Sequence, residues 1–176
     1  MCKNKLSLFN IYNKSMLWGQ IDSRILIHKI KSLIKEDINY LEINLEKIQS
    51  FDESFISAVF INTIKSTKKS GKELVYIFSN PVNEEILFQF SSILLSNNVF
   101  SILKTETEFE IIGDASYFQK IIFKNINENE IINPVSICED FNKPFNSVKL
   151  EFDEFVNIGF LEKESDEVYR TNLSYI

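Results

Sequence analysis

Residues able to do acid–base or nucleophilic chemistry are few in this chain, and their spacing works against catalysis. His28 is the only histidine among 176 residues. Lys29 and Lys31 beside it mark a partly solvated helix face. One histidine cannot make a multi-histidine metal site, and no serine or cysteine pairs with it through a nucleophile motif. Cys2 and Cys138, the only cysteines, form neither a disulfide framework nor a metal knuckle. Cys2 reads as a terminal thiol and Cys138 as filler on the buried face of a helix. The carboxylate pairs Asp52-Glu53 and Glu84-Glu85 are adjacent in sequence, whereas paired acids for glycoside or metal chemistry come from separate elements converging in a cleft. They read as solvated helix caps. Gly19, Gly71, Gly113 and Gly159 are too scattered for a phosphate loop. No catalytic residue, metal or cofactor is expected, and the chain is not expected to be an enzyme.

The elements that would position these residues follow from periodicity and turn chemistry. Leu6–Tyr12 and Ser15–Trp18 are expected as an antiparallel pair around Asn13-Lys14. Asp22 and Ser23 are N-cap types, and Ile27, Ile30, Leu33 and Ile34 then recur at helical spacing. Tyr40–Leu45 alternates, with Leu41, Ile43 and Leu45 on the core face. A second helix is expected from Asp52, with Phe55, Val59, Phe60, Thr63 and Ile64 inward, Lys68 and Lys69 in its last turn, and Gly71 ending it. Leu74–Phe78 reads as a strand covered on both faces. Pro81 is expected to open a third helix bearing Ile86, Leu87, Phe90, Ile93 and Leu94, followed by a strand at Phe100–Leu103. Strands separated by helices imply mainly parallel pairing through right-handed crossovers.

Glu106–Ile112 reads as a linker to a second unit. There, Ser116–Asn125 is helical, and Asn133-Pro134 opens a short helix to Asp140. Another helix runs from about Asn146 to Asn157, with Leu150, Phe152, Phe155, Val156 and Ile158 as apolar positions. Phe160–Lys163 and Val168–Thr171 flank Ser165-Asp166 as a hairpin.

Element order over residues 6–103 resembles the STAS domain of anti-sigma-factor antagonists, closest to a divergent STAS-like family found beside histidine-kinase-type ATPases. The resemblance rests on Asp22-Ser23-Arg24, on Leu41–Leu45 leading into Ser50-Phe51-Asp52-Glu53-Ser54-Phe55, on Gly71–Ile77, and on Asn80-Pro81-Val82. It implies a domain at residues 1–108 with a mixed, mainly parallel sheet and helices packed on it. It also implies docking of a protein partner, such as a histidine-kinase-type ATPase, at Asp52, Glu53 and Ser54. In that family a serine after the aspartate is phosphorylated, and phosphorylation switches binding off. Here Glu53 stands where that serine would be, and Ser54 is one place further along. Glu53 brings one charge where phosphoserine would bring ~1.5 to 2. The other reading of Asp52 and Glu53 is that they simply cap the helix.

Residues 109–176 resemble a winged helix-turn-helix, a small α+β domain. The resemblance rests on Val135–Phe141, Asn142–Phe145 and Ser147–Phe152, and on Phe155–Lys163 running to Tyr169-Arg170. It implies a third helix in the major groove and a wing on the backbone, with Lys143, Asn146, Ser147, Lys149, Lys163 and Arg170 as the DNA-facing set.

Charge argues against that implication. Residues 1–113 carry no net charge, and residues 114–176 carry the whole −6. Duplex binding typically neutralises about six to ten phosphates, and four nearby cations stand among Glu151, Asp153, Glu154, Glu162, Glu164, Asp166 and Glu167. The chain is 44% hydrophobic with 16 Phe, enough to bury a core, and those rings are expected inside rather than on a base-stacking platform. No apolar run approaches the ~20 residues of a membrane span, and the N-terminus lacks a secretory pattern, so a cytoplasmic location is expected. The expected function is a non-catalytic regulatory adaptor, with self-association as a homodimer through the tail as a further expectation. The alternatives are a DNA-binding transcriptional regulator and a small-ligand or nucleotide role for the STAS-like part.

Overall fold

The computed structural model describes residues 4–34, 38, 40–70, 74–165 and 167–172. Cys2, Gly71 and Asp166, each given a role above, lie outside that range. The chain forms two compact units, Met1–Ala115 and Ser116–Ile176. Among the described residues no helix is long and apolar enough to cross a membrane.

The first unit begins with β1 (Lys5–Ser7), α1 (Leu8–Tyr12), β2 (Met16–Leu17) and α2 (Gly19–Ile34). It continues through β3 (Tyr40–Asn44), β4 (Ser50–Phe51), α3 (Glu53–Ile56), a π-helical segment (Ser57–Ile61) and α4 (Asn62–Lys69). Then come β5 (Val75–Ser79), α5 (Glu84–Ser96), β6 (Phe100–Lys104) and β7 (Phe109–Gly113). The main sheet has the order β1-β3-β5-β6-β7. Its first four strands are parallel and β7 is antiparallel to β6, so the mainly parallel α/β arrangement is as expected.

Leu41, Ile43, Tyr76, Phe78 and Leu103 project from alternate strand positions into one core with Leu26, Ile30, Phe55, Phe60 and Phe90 from the helices. Burying these side chains is the main stabilising term. Edge-to-face and tilted ring pairs order the centre, with Phe60–Phe78 at 5.2 Å and Phe78–Phe90 at 4.5 Å.

Several expectations are corrected. Residues 8–12 form a helix, not half of a hairpin. Ser7 caps it by accepting from the Asn10 N–H, and Asn13 adopts φ 52 as the left-handed residue that ends it. Asn13 thus has the turn chemistry expected of it, but at a helix C-terminus. β1 and β2 pair in parallel with β3 and β4 instead of with each other. The next helix starts at Gly19, which places Asp22 and Ser23 inside it rather than at its cap. α5 starts at Glu84 behind an Asn83 cap, so Pro81 precedes the helix. Residues 109–113, expected in a linker, form the antiparallel edge strand β7, which moves the unit boundary from 108/109 to 115/116.

The second unit runs α6 (Tyr117–Glu128), β8 (Ile131–Ile132), α7 (Pro134–Phe141), α8 (Phe145–Asn157), β9 (Leu161–Lys163) and β10 (Tyr169–Thr171). Ser116 and Gln119 form a reciprocal capping box, and Asn133 caps α7 with Pro134 at its first position. β9 and β10 form the expected hairpin, and β8, which was not foreseen, adds the third strand in the order β8-β10-β9. Ile122, Phe123, Val148, Phe152, Phe155, Phe160 and Tyr169 fill this core. Leu150 is 71% exposed rather than inward. Cys138 is half-buried, not a core filler.

Candidate functional site

Asp52 follows the β4 strand and caps α3, and its carboxylate reaches two helix starts at once. Oδ1 accepts from the Phe55 N–H at 2.6 Å and from the Ser54 hydroxyl at 2.9 Å. Oδ2 accepts from the Gly19 N–H at 2.7 Å, tying the first residue of α2 to the start of α3. Gly19 sits at φ +62, a region that L side chains rarely enter. The capping role foreseen for Asp52 is therefore present, and it reaches further than one helix.

Glu53 and Ser54 are exposed on the outer side of this joint. The Ser54 proton is committed to Asp52, so a phosphate added there would place two like charges together. Trp18, one residue before Gly19, is 54% exposed. Ile21 and Ile25 continue its exposed stripe along α2 at helical spacing. Sequence reading missed this stripe because it followed the inward residues Ile27 and Ile30. The signal was available: Trp18, Ile21 and Ile25 recur at i, i+3 and i+7 on a different face. Asp22 is buried, accepting from the Trp18 N–H at 2.9 Å and from the Lys14 ammonium at 2.6 Å. This pair holds the chain entering α2 against Lys14, which fixes where Trp18 emerges.

Beside Glu53, between β4 and α5, lies an open groove of about 460 Å³. Phe51, Ile86 and Ile93 form its floor, and Gln89 spans it by donating to the Phe51 carbonyl at 3.1 Å.

Away from these surfaces, the first unit buries two polar networks. Glu42 accepts from Lys5 and from Ser79, each at 2.6 Å, on the sheet face opposite the helices. The Tyr76 phenol and Thr63 hydroxyl share a hydrogen bond in the core, and burial drives the Tyr76 phenol well above its usual range while the Thr63 interaction opposes this. Both networks are closed, so they act in packing. His28 is exposed on α2. Among the described residues no group of three or more His, Cys, Asp or Glu side chains is arranged to hold a metal ion.

The residues expected to face DNA lie in the second unit. Lys143, Asn146 and Ser147 are exposed at the α7–α8 turn and the start of α8, and Lys149 is half-buried further along. Lys163 is exposed on β9 with Glu162 and Glu164 on either side. Arg170 donates to Glu164 at 2.7 Å and Glu130 at 2.9 Å, which spends its guanidinium on carboxylates. The structure therefore gathers Asp52, Glu53 and Ser54 into one patch and leaves the second set spread among acids. No protein-family model, curated protein or solved structure matches this chain.

Proposed function

We propose that this chain is a non-catalytic regulatory adaptor, whose STAS-like first unit docks a protein partner at Asp52, Glu53 and Ser54. The partner class suggested by the resemblance is a histidine-kinase-type ATPase. One observation carries the reading. Asp52 ties two helix starts into a rigid joint, and the exposed Glu53, Ser54 and Trp18 sit on it as polar and aromatic contact residues. Rigid presentation lowers the ordering cost of binding, and an exposed tryptophan is the kind of anchor that dominates interface energies.

The test is affinity capture of the tagged protein from its native cells, with and without nuclease, followed by mass spectrometry. A nuclease-resistant protein should be recovered by the unaltered chain and lost with Glu53→Lys, whose far-ultraviolet circular dichroism should be unchanged. Equal recovery by Glu53→Lys would rule out this patch as the docking site.

A second reading, a DNA-binding regulator, draws support from the order helix, strand, helix, helix, hairpin in residues 116–172. The electrostatics described above oppose it. Self-association of the second unit is favoured instead by the exposed Tyr117 and Leu150.

A further inference from the structure

The groove between β4 and α5 has a one-sided charge and an uncovered aromatic ring. Glu53 stands on one wall and Glu85 on the other, and among the described residues no lysine or arginine lines it. Its floor is apolar, with Phe51, Ile86 and Ile93 nearly inaccessible beneath it. Phe88 projects from α5 at the rim and is 75% exposed, whereas Phe55, Phe60, Phe78 and Phe90 of the same unit are fully buried. A ring left in water at the lip of an apolar trough loses the burial it would gain under a partner.

Resting on the docking reading above, we propose that this groove takes a cationic amphipathic segment of the partner protein, one lysine or arginine facing Glu53, another facing Glu85, and an apolar side chain covering Phe88. The chemistry selects this occupant. An acidic segment or a nucleic-acid backbone would bring negative charge between two carboxylates with no cation to offset it. The Gln89 bridge to the Phe51 carbonyl holds α5 against β4, so the groove exists before the ligand arrives.

The experiment titrates the full chain with a fluorescein-labelled amphipathic peptide of leucine and lysine, and separately with its leucine–glutamate counterpart, by fluorescence anisotropy. The lysine peptide should bind and the glutamate peptide should not. Glu85→Lys combined with Phe88→Ser should weaken binding roughly tenfold or more, as for removal of a charged group and an anchor together. Glu106→Lys combined with Glu108→Lys, exposed in the turn before β7, changes net charge by twice as much and should weaken it less than about threefold, by long-range screening alone. Equal loss with both pairs, or no loss with Glu85→Lys/Phe88→Ser, overturns the groove.

In the cell-capture assay the two proposals separate. A partner lost with Glu53→Lys but kept by Glu85→Lys/Phe88→Ser overturns the groove and leaves the docking reading standing. A partner kept by both overturns the two together. Thermal unfolding that coincides with the unaltered chain certifies that each variant is folded, and all five altered positions are solvent-facing.

Discussion

Glu151 shows how a single position in the second unit bears on function. Partial burial and the neighbouring Glu154 carboxylate raise its pKa above the ordinary glutamate value, and the Gln119 side chain opposes them. Gln119 also donates to Glu154 at 2.9 Å. A carboxyl that holds its proton more tightly folded than unfolded costs nothing below the unfolded pKa, where both states are protonated. The cost appears as pH rises through the ordinary glutamate range, about 4.3 upward, because the unfolded chain ionises first. Glu151→Gln should therefore stabilise the protein at pH 7, by about 0.3 kcal/mol once solvent screening is allowed for. The gain should vanish below about pH 4. Thermal unfolding followed at both pH values checks this, and an equal gain at both would mean that charge is not the cause. A carboxylate kept at some cost on α8, the helix that holds Asn146, Ser147 and Lys149, is a poor choice for meeting phosphate, which agrees with the protein-binding reading of this unit.

At the scale of elements, the joint between α2 and α3 depends on one carboxylate. Asp52→Ala removes the α3 cap and orphans the Gly19 N–H together, where an ordinary cap loss affects one helix. The expected cost is about 2 kcal/mol, the upper end for N-cap removal. Ser54→Ala, which removes a hydroxyl that donates to the same carboxylate, should cost no more than about 0.5 kcal/mol because it is exposed. Urea unfolding of both variants decides the matter, and near-equal midpoints would mean that the two helix starts do not depend on Asp52.

The same joint marks the limit of what could be read from residue patterns. The Asp52 cap was legible because an Asp-Glu-Ser run precedes a helical stripe, and β5 was legible because its apolar run has strand length. The link to Gly19 was not, since it joins positions 33 residues apart and local periodicity carries no such information. The π-helical Ser57–Ile61 was hidden for a related reason. A widened turn keeps Val59, Phe60 and Thr63 all buried, which reads as an ordinary broad stripe. β1 and α1 were misread because Asn13 suits a hairpin turn and a helix end equally well. The exposed Phe88 was missed because the phenylalanines were read together as lying on apolar faces, although Phe88 falls off the inward stripe of Ile86, Phe90, Ile93 and Leu94.

Across the whole molecule, charge is divided more sharply than composition suggests. The first 113 residues are neutral and the rest carry −6, yet the acidic second unit holds the residues that were expected to meet nucleic acid. Of its cations, Arg170 is engaged by Glu164 and Glu130, and Lys163 stands between two glutamates. Binding to duplex DNA requires phosphate neutralisation, and every phosphate interaction removed lowers the dependence of affinity on salt. The protein should therefore bind a duplex of about twenty base pairs no more tightly than roughly 10⁻⁴ M at physiological salt, the weak end of non-specific association. Lys143→Glu combined with Lys149→Glu should leave that value unchanged, since four cations among so many carboxylates make no phosphate track. Anisotropy titrations at several salt concentrations measure both quantities. Submicromolar binding, with a slope that falls by about two in the double variant, would mean that Lys143 in the α7–α8 turn and Lys149 of α8 act as a phosphate-binding strip despite their acidic surroundings. The second unit would then be the nucleic-acid module, and the basic partner proposed for the first unit's groove would have to be one that works on DNA.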